Sequence, residues 1–236
     1  GGSIAAVDHL GRLCVGPQSA GSVPGPVAFG QGGTEPTVTD SDLMLGYLRA
    51  ETFAEGFVSL DAKATAAALA AKIGAPLDLD AIGAADGISR IVDESMASAA
   101  RMHAVESGKD LGTRVMIAFG GNGPLHATRV ARSCGVRRIV VPPDPGVGSA
   151  VGFLFAPISF EIVRSHFTTL QQLDFQAINN RLVEMTKEAI EVVKKGAGDA
   201  AITTSLSAFM RYAGQGHEIE IALPNHPMGE NDLAPL

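Results

Sequence analysis

The sequence predicts an α/β fold with a parallel sheet, followed by a smaller α+β module. Three observations lead there. First, a strand, a glycine turn, a helix and a second strand fall within Val115 to Pro142, and so short a succession is a βαβ unit with parallel strands. Second, long stretches at helical spacing supply layers to cover such a sheet. Third, the composition shifts after about Thr169 to an amphipathic helix and two alternating strands, so residues 1–168 and 169–236 read as two domains.

Taken in order, Ile4 to Asp8 and Leu13 to Val15 flank His9-Leu10-Gly11-Arg12 and read as a small hairpin. Gly16 to Gly33 is nearly all Gly, Pro, Ser and Ala, anchored by Val23, Val27 and Phe29. It reads as an ordered, irregular loop, the kind of segment on which binding residues sit. Glu35, Thr37 and Asp40 follow, acids and hydroxyls beside a glycine loop, and are candidate substrate or metal contacts. Equally, Thr39 or Asp40 caps a helix that begins near Leu43. Asp61 to Ile73 is alanine-rich and helical, with Asp61 at its start and Gly74 at its end. Leu79 to Ser107 is the longest expected helix, roughly 40 Å at about 1.5 Å per residue. Its expected buried stripe is Ile82, Ala85, Ile88, Val92, Met96, Ala99 and His103. His103 and Glu106, three apart, could face one ligand, although such a pair without other ligands nearby in sequence is more often structural.

The central unit opens on Val115 to Phe119, a β-favouring apolar run, and turns at Gly120-Gly121-Asn122-Gly123. Pro124 suits the first helical position. Leu125, Ala127, Val130 and Ala131 share a face, Gly135 suits the C-terminal stop, and Ile139 to Val141 is the second strand. Such a turn leaves free N–H groups at a helix N-terminus, where an anion or a nucleotide edge could sit; the alternative is a turn that needs glycine for packing alone. No Gly-Lys-Ser/Thr follows, so it is not a P-loop, and no ribose-binding acid closes the second strand, so it is a poor dinucleotide fingerprint. His126 either reaches a nucleotide or packs against the sheet. Beyond lie a small helix from Val147 to Phe155, a further sheet strand from Ser159 to Arg164, and an amphipathic helix from Leu173 to Lys195. Ser205 to Tyr212 and Glu218 to Leu223 then read as strands joined at Gly214-Gln215-Gly216.

The 236 residues are 46% hydrophobic and 18% charged, as in a globular protein with ample core. A net charge of −7 argues against a nucleic-acid partner. Cys14 and Cys134 have neither metal-type spacing nor the numbers of a disulfide framework, which suits a reducing cytoplasm. No eighteen-residue apolar stretch predicts a membrane span. The start, Gly1-Gly2-Ser3-Ile4-Ala5, has neither an initiator Met nor a basic signal-peptide start, as in a processed chain or a segment of a longer one.

Several segments are familiar: GGSIAAVD at 1–8, VGPQSAGSVPGPVAFGQGGTEPTVTDSDLMLG at 15–46, IAFGGNGPLHA at 117–127, VPPDPGVGSAVGFLFA at 141–156 and RYAGQGHEIEI at 211–221. On these the chain closely resembles the hydantoinase A/oxoprolinase family. The resemblance implies an ATPase core of the actin and sugar-kinase type, a ribonuclease H-like βα lobe that closes with another around ATP and Mg²⁺ or another divalent metal. IAFGGNGPLHA would be the adenosine motif, with Gly120, Gly121 and Gly123 backing onto base and ribose and Asn122 and His126 beside them. Gly1, Gly2 and Ser3 match the end of a glycine-rich segment on the opposite side of the nucleotide. Family members couple ATP hydrolysis to opening 5-oxoproline or hydantoin rings, or to carboxylating acetone and acetophenone.

The expected activity is therefore that of an ATP-dependent cyclic amidohydrolase subunit with a hydantoinase B-type companion. A ketone carboxylase subunit is the alternative, a non-catalytic assembly module the third reading, and a dinucleotide-binding dehydrogenase the weakest. The family's DxGGT-type phosphate loops have no counterpart here, and Asn122 stands where a small residue is usual. The expectation is the second ATPase lobe plus the start of a C-terminal domain, without turnover on its own. Catalytic residues, metal ligands and the substrate itself are not distinguished by sequence.

Overall fold

The computed structural model describes residues 2–233, Glu55 without its side chain, as short strands and helices of varied length. They fall into two compact units, Gly1–Leu154 and Phe155–Leu236.

In the first unit, β1 (Ser3–Val7) and β2 (Leu13–Ser19) form the expected antiparallel hairpin. Asp8 shapes its turn, accepting from the N–H groups of Leu10 and Arg12, each at 2.9 Å. The loop that follows is ordered by close backbone approach. A Cβ added to Gly33 would lie 2.1 Å from the Gly25 carbonyl oxygen. Gly33→Ala is thus expected to displace this loop and cost about 1–3 kcal/mol; an unchanged thermal midpoint would contradict that.

Helix α1 spans Val38–Met44, starting earlier than the sequence suggests. Its cap is Thr37, not Thr39 or Asp40: Thr37 and Asp40, at the third helical position, form a reciprocal capping box. Helix α2 (Ala62–Leu69) is capped by Asp61 as expected, then widens into a π-turn at Ala70–Gly74 and one last turn, α3 (Ala75–Leu77). Helix α4 (Ala81–Glu106) is capped by Asp80. Its buried face is Ala84, Ala85, Ile88, Ser89, Asp93, Ala97 and Ala104, whereas Ile82, Met96, Ala99 and His103 of the expected stripe are exposed. The expected stripe counted apolar residues only; the real one takes in Ser89 and Asp93, whose polar atoms find partners inside. Leu69, Ile73 and Ile88 pack with Ala5, Val38, Ala84 and Ala85 into the main core, and each of the three large side chains contributes roughly 1.5–3 kcal/mol.

The βαβ unit is present, in shortened form. Strand β3 is Val115–Ile117, α5 is Gly123–Ser133 and β4 is Arg138–Val140, with the strands parallel. Among the described residues this sheet has two strands, and Ile117 and Val140 stay 62% and 49% exposed. Helix α6 (Gly148–Phe155) follows. Ser159 to Arg164 is not the expected strand; among the described residues no strand lies beside it to supply a ladder.

In the second unit, α7 (Phe175–Ala197) starts at Asp174, whose side chain accepts from the Ala177 N–H. β5 (Leu206–Met210) and β6 (Ile219–Leu223) pair antiparallel. The Asn179 side chain clamps the Met228 backbone, donating to its carbonyl at 3.0 Å and accepting from its N–H at 2.8 Å. That fixes the segment after β6 to α7.

Candidate functional site

Gly120 turns the chain out of β3 with φ +92°, a left-handed conformation that glycine adopts without steric cost. Its N–H donates to the Pro145 carbonyl at 2.7 Å, which anchors the turn. Asn122 is the N-cap of α5 and makes no side-chain cap hydrogen bond, so the helix's first-turn N–H groups lack that partner. A Cβ added at Gly121 or Gly123 would meet nothing within 4 Å. The glycines there are not demanded by the fold's own packing.

Asn122 lines a cleft of about 400 Å³, and so does Gly2, together with Ser19, Ser22, Phe29 and Thr39 among others. Motifs from the two ends of this unit, expected on opposite sides of one nucleotide, thus share one cleft. Phe29 and Phe53 flank it as a tilted ring pair with centroids 6.0 Å apart. The lining combines backbone, hydroxyls and aromatic rings, without lysine or arginine. Such a surface is neutral and partly apolar, and its lining offers no side-chain cation. Ser3 lies next to Gly2 in β1, and Gly1 falls outside the described residues.

Glu35, Thr37 and Asp40 do not converge on this cleft. Asp40 is fully buried, and its carboxyl oxygens accept from the N–H groups of Val27 at 3.3 Å, Ala28 at 2.7 Å and Thr37 at 2.8 Å. The hydroxyls of Thr37 and Thr65 add to these at 2.8 and 3.4 Å. Glu35 is exposed and paired with Lys72, whose hydrogen bond holds its carboxyl below the ordinary range. Among the described residues no three or more His, Cys, Asp or Glu groups gather as a metal would need.

His126 is buried, and its surroundings are what sequence reasoning missed. Its Nδ1 lies 2.8 Å from Asp93 of α4, and its Nε2 lies 3.5 Å from Asp42 of α1. The second contact is long for a hydrogen bond and is ionic when the ring is protonated; both Asp42 carboxylate oxygens are buried, with no shorter partner among the described residues. Arg129, one turn along α5, donates to Ser89 at 2.6 Å and to Asp93 at 3.3 Å, and stacks 4.7 Å over the Tyr47 ring. Asp42 and Asp93 hold the imidazole pKa above its ordinary 6.5, against burial, which pulls it down. Burial raises Asp93, and the bond to His126 partly offsets it. The detectable signal was an acid and a serine on the inward face of α4, too polar for an apolar stripe.

The profile of the Hydantoinase/oxoprolinase family matches residues 1–162. The chain belongs to this family. The caprolactamase subunit alpha of Pseudomonas jessenii is 34% identical over the whole chain, which covers 34% of that protein. The acetophenone carboxylase gamma subunit of Aromatoleum aromaticum is 45% identical over 153 residues, 64% of this chain and 21% of that protein. The crystal structure of the ATP-dependent caprolactamase from Pseudomonas jessenii superposes with a TM-score of 0.71 at 32% identity, covering all of this chain and 35% of that one. The chain thus spans about a third of the family relative that it matches end to end. No helix among the described residues is long and apolar enough to cross a membrane.

Proposed function

We propose that this chain supplies the adenosine side of an ATP-dependent site that opens a cyclic amide, within a hydantoinase/oxoprolinase subunit. The observation that carries the reading is the shared cleft of Gly2 and Asn122. In this reading, residues 1–168 are the second lobe of an actin- and sugar-kinase-type ATPase, and residues 169–236 begin a further domain. The Gly120–Gly123 turn lets backbone approach base and ribose, and Phe29 and Phe53 give the base an apolar flank. ATP, when bound, supplies the phosphoryl group that activates an amide oxygen so that water can attack the ring carbonyl. The cationic phosphate contacts belong to other parts of the assembly, a hydantoinase B-type companion completes it, and a lactam is the substrate class that the caprolactamase likeness favours.

Calorimetric titration with ADP tests the site. Gly121 has an ordinary φ and open space where a Cβ would stand, so Gly121→Val should fold normally and lose ADP affinity by on the order of tenfold or more, as one blocked contact of about 1.4 kcal/mol would give. Equal affinity in both proteins would remove the nucleotide from this turn.

The likeness to the acetophenone carboxylase gamma subunit favours a second reading, an ATP-dependent ketone carboxylase subunit. With the companion subunit present, ATP cleavage that follows lactam opening supports the hydrolase. ATP cleavage that needs both bicarbonate and a ketone supports the carboxylase.

A further inference from the structure

We propose that His126 is a positioning residue that couples α1 to the glycine turn of the cleft, so that the cleft's shape depends on the proton shared between His126 and its two acids. Calling the coupled feature a nucleotide cleft rests on the reading above; the coupling itself does not.

The geometry is that of a clasp one helical turn behind both cleft walls. Thr39 of α1 and Asn122 at the head of α5 line the cleft. Three residues on from the first is Asp42, and four on from the second is His126, spacings that share a helix face. Those two meet at 3.5 Å. On the other side of the ring, Asp93 at 2.8 Å ties His126 to α4, and the Arg129 bonds to Ser89 and Asp93 repeat that tie.

Each ring nitrogen thus faces a carboxylate. Only an imidazole protonated on both nitrogens presents N–H to both; a neutral ring turns a lone pair toward one of them. Asp93 keeps Arg129 as a second partner, whereas neither carboxylate oxygen of Asp42 has a hydrogen-bond partner among the described residues. Asp42 is therefore the group that yields when the proton leaves, and α1 carries Thr39 with it. The charged groups around the ring are Asp42 from α1, Asp93 from α4 and Arg129 from its own helix, the last stacked on Tyr47.

The test uses the whole chain. Side-chain NMR follows the His126 nitrogens from about pH 6 upward, through the range in which imidazoles titrate, while backbone amides of Thr39, Asn122 and Gly123 are recorded without nucleotide. ADP is then titrated calorimetrically at both ends of that range, for the native protein and for Asp42→Asn, whose amide can donate to a neutral ring or accept from a charged one. The expected result is that these amides follow the ring. ADP affinity should fall on the order of fivefold or more as the proton leaves, and Asp42→Asn should flatten that fall. Amides that stay still while the ring titrates would overturn the coupling, as would an equal fall in Asp42→Asn. Amides that follow the ring, in a protein that binds no ADP at any pH, would uphold the coupling and overturn the nucleotide reading instead.

Discussion

Asp40→Ala is expected to destabilise the first unit by about 4 kcal/mol or more. The carboxyl accepts from three backbone N–H groups and two hydroxyls at a fully buried position. Alanine would strand the N–H groups of Val27, Ala28 and Thr37 without an acceptor, and each buried orphan costs roughly 1–3 kcal/mol. Asp40→Asn should also be costly, because its amide turns one acceptor into a donor aimed at donors. Urea unfolding checks this, and it separates two roles that the sequence left together. A scaffold carboxyl loses stability first. A ligand would lose activity with the unfolding midpoint unmoved, and that outcome would return Asp40 to the active site.

The second large effect concerns His126. His126→Ala leaves Asp42 and Asp93 buried without the imidazole between them, and breaking a buried ion pair from one side costs about 3–5 kcal/mol. The native protein should also show a signature in pH. Asp42 and then Asp93 raise the imidazole pKa above 6.5, so the folded state binds that proton more tightly than the unfolded chain. Its stabilising contribution is then complete below about 6.5 and fades as pH rises through the raised value. Asp93, raised by burial, acts in the same direction at the acid end, its contribution complete only below the ordinary aspartate range. Urea midpoints recorded upward from about pH 6 should therefore fall in the native protein and lose that slope in His126→Ala. A native profile that rises over that range would contradict the arrangement.

What the sequence made legible was local. The hairpin, the βαβ unit, the Asp61 cap and the β5–β6 pair are each written in a few neighbouring residues, as periodicity or turn chemistry. The carboxylate–imidazole cluster was not legible, since His126 and Asp93 are 33 residues apart and each reads alone as an ordinary helix residue. Apolar spacing also rotated the inward face of α4, because buried polar groups count toward burial but not toward hydrophobic pattern. Ser159 to Arg164 failed for the opposite reason: its residues suit a strand, and among the described residues no strand lies beside it to supply hydrogen-bond partners. For the Gly120–Gly123 turn the sequence left ligand binding and packing as alternatives, and only the structure separates Gly120, needed for backbone shape, from Gly121 and Gly123, with open space in front of them.

The bare parallel ribbon of β3 and β4 has a practical consequence at the bench. Parallel strands are ordinarily covered on both faces, and here Ile117, Val140 and the nearby Phe119 are exposed beside ladder edges that are unpaired among the described residues. Such a ribbon is a template for strand addition by another molecule. Concentrated samples should therefore scatter light increasingly with time, and a lysine at Ile117 should slow that growth.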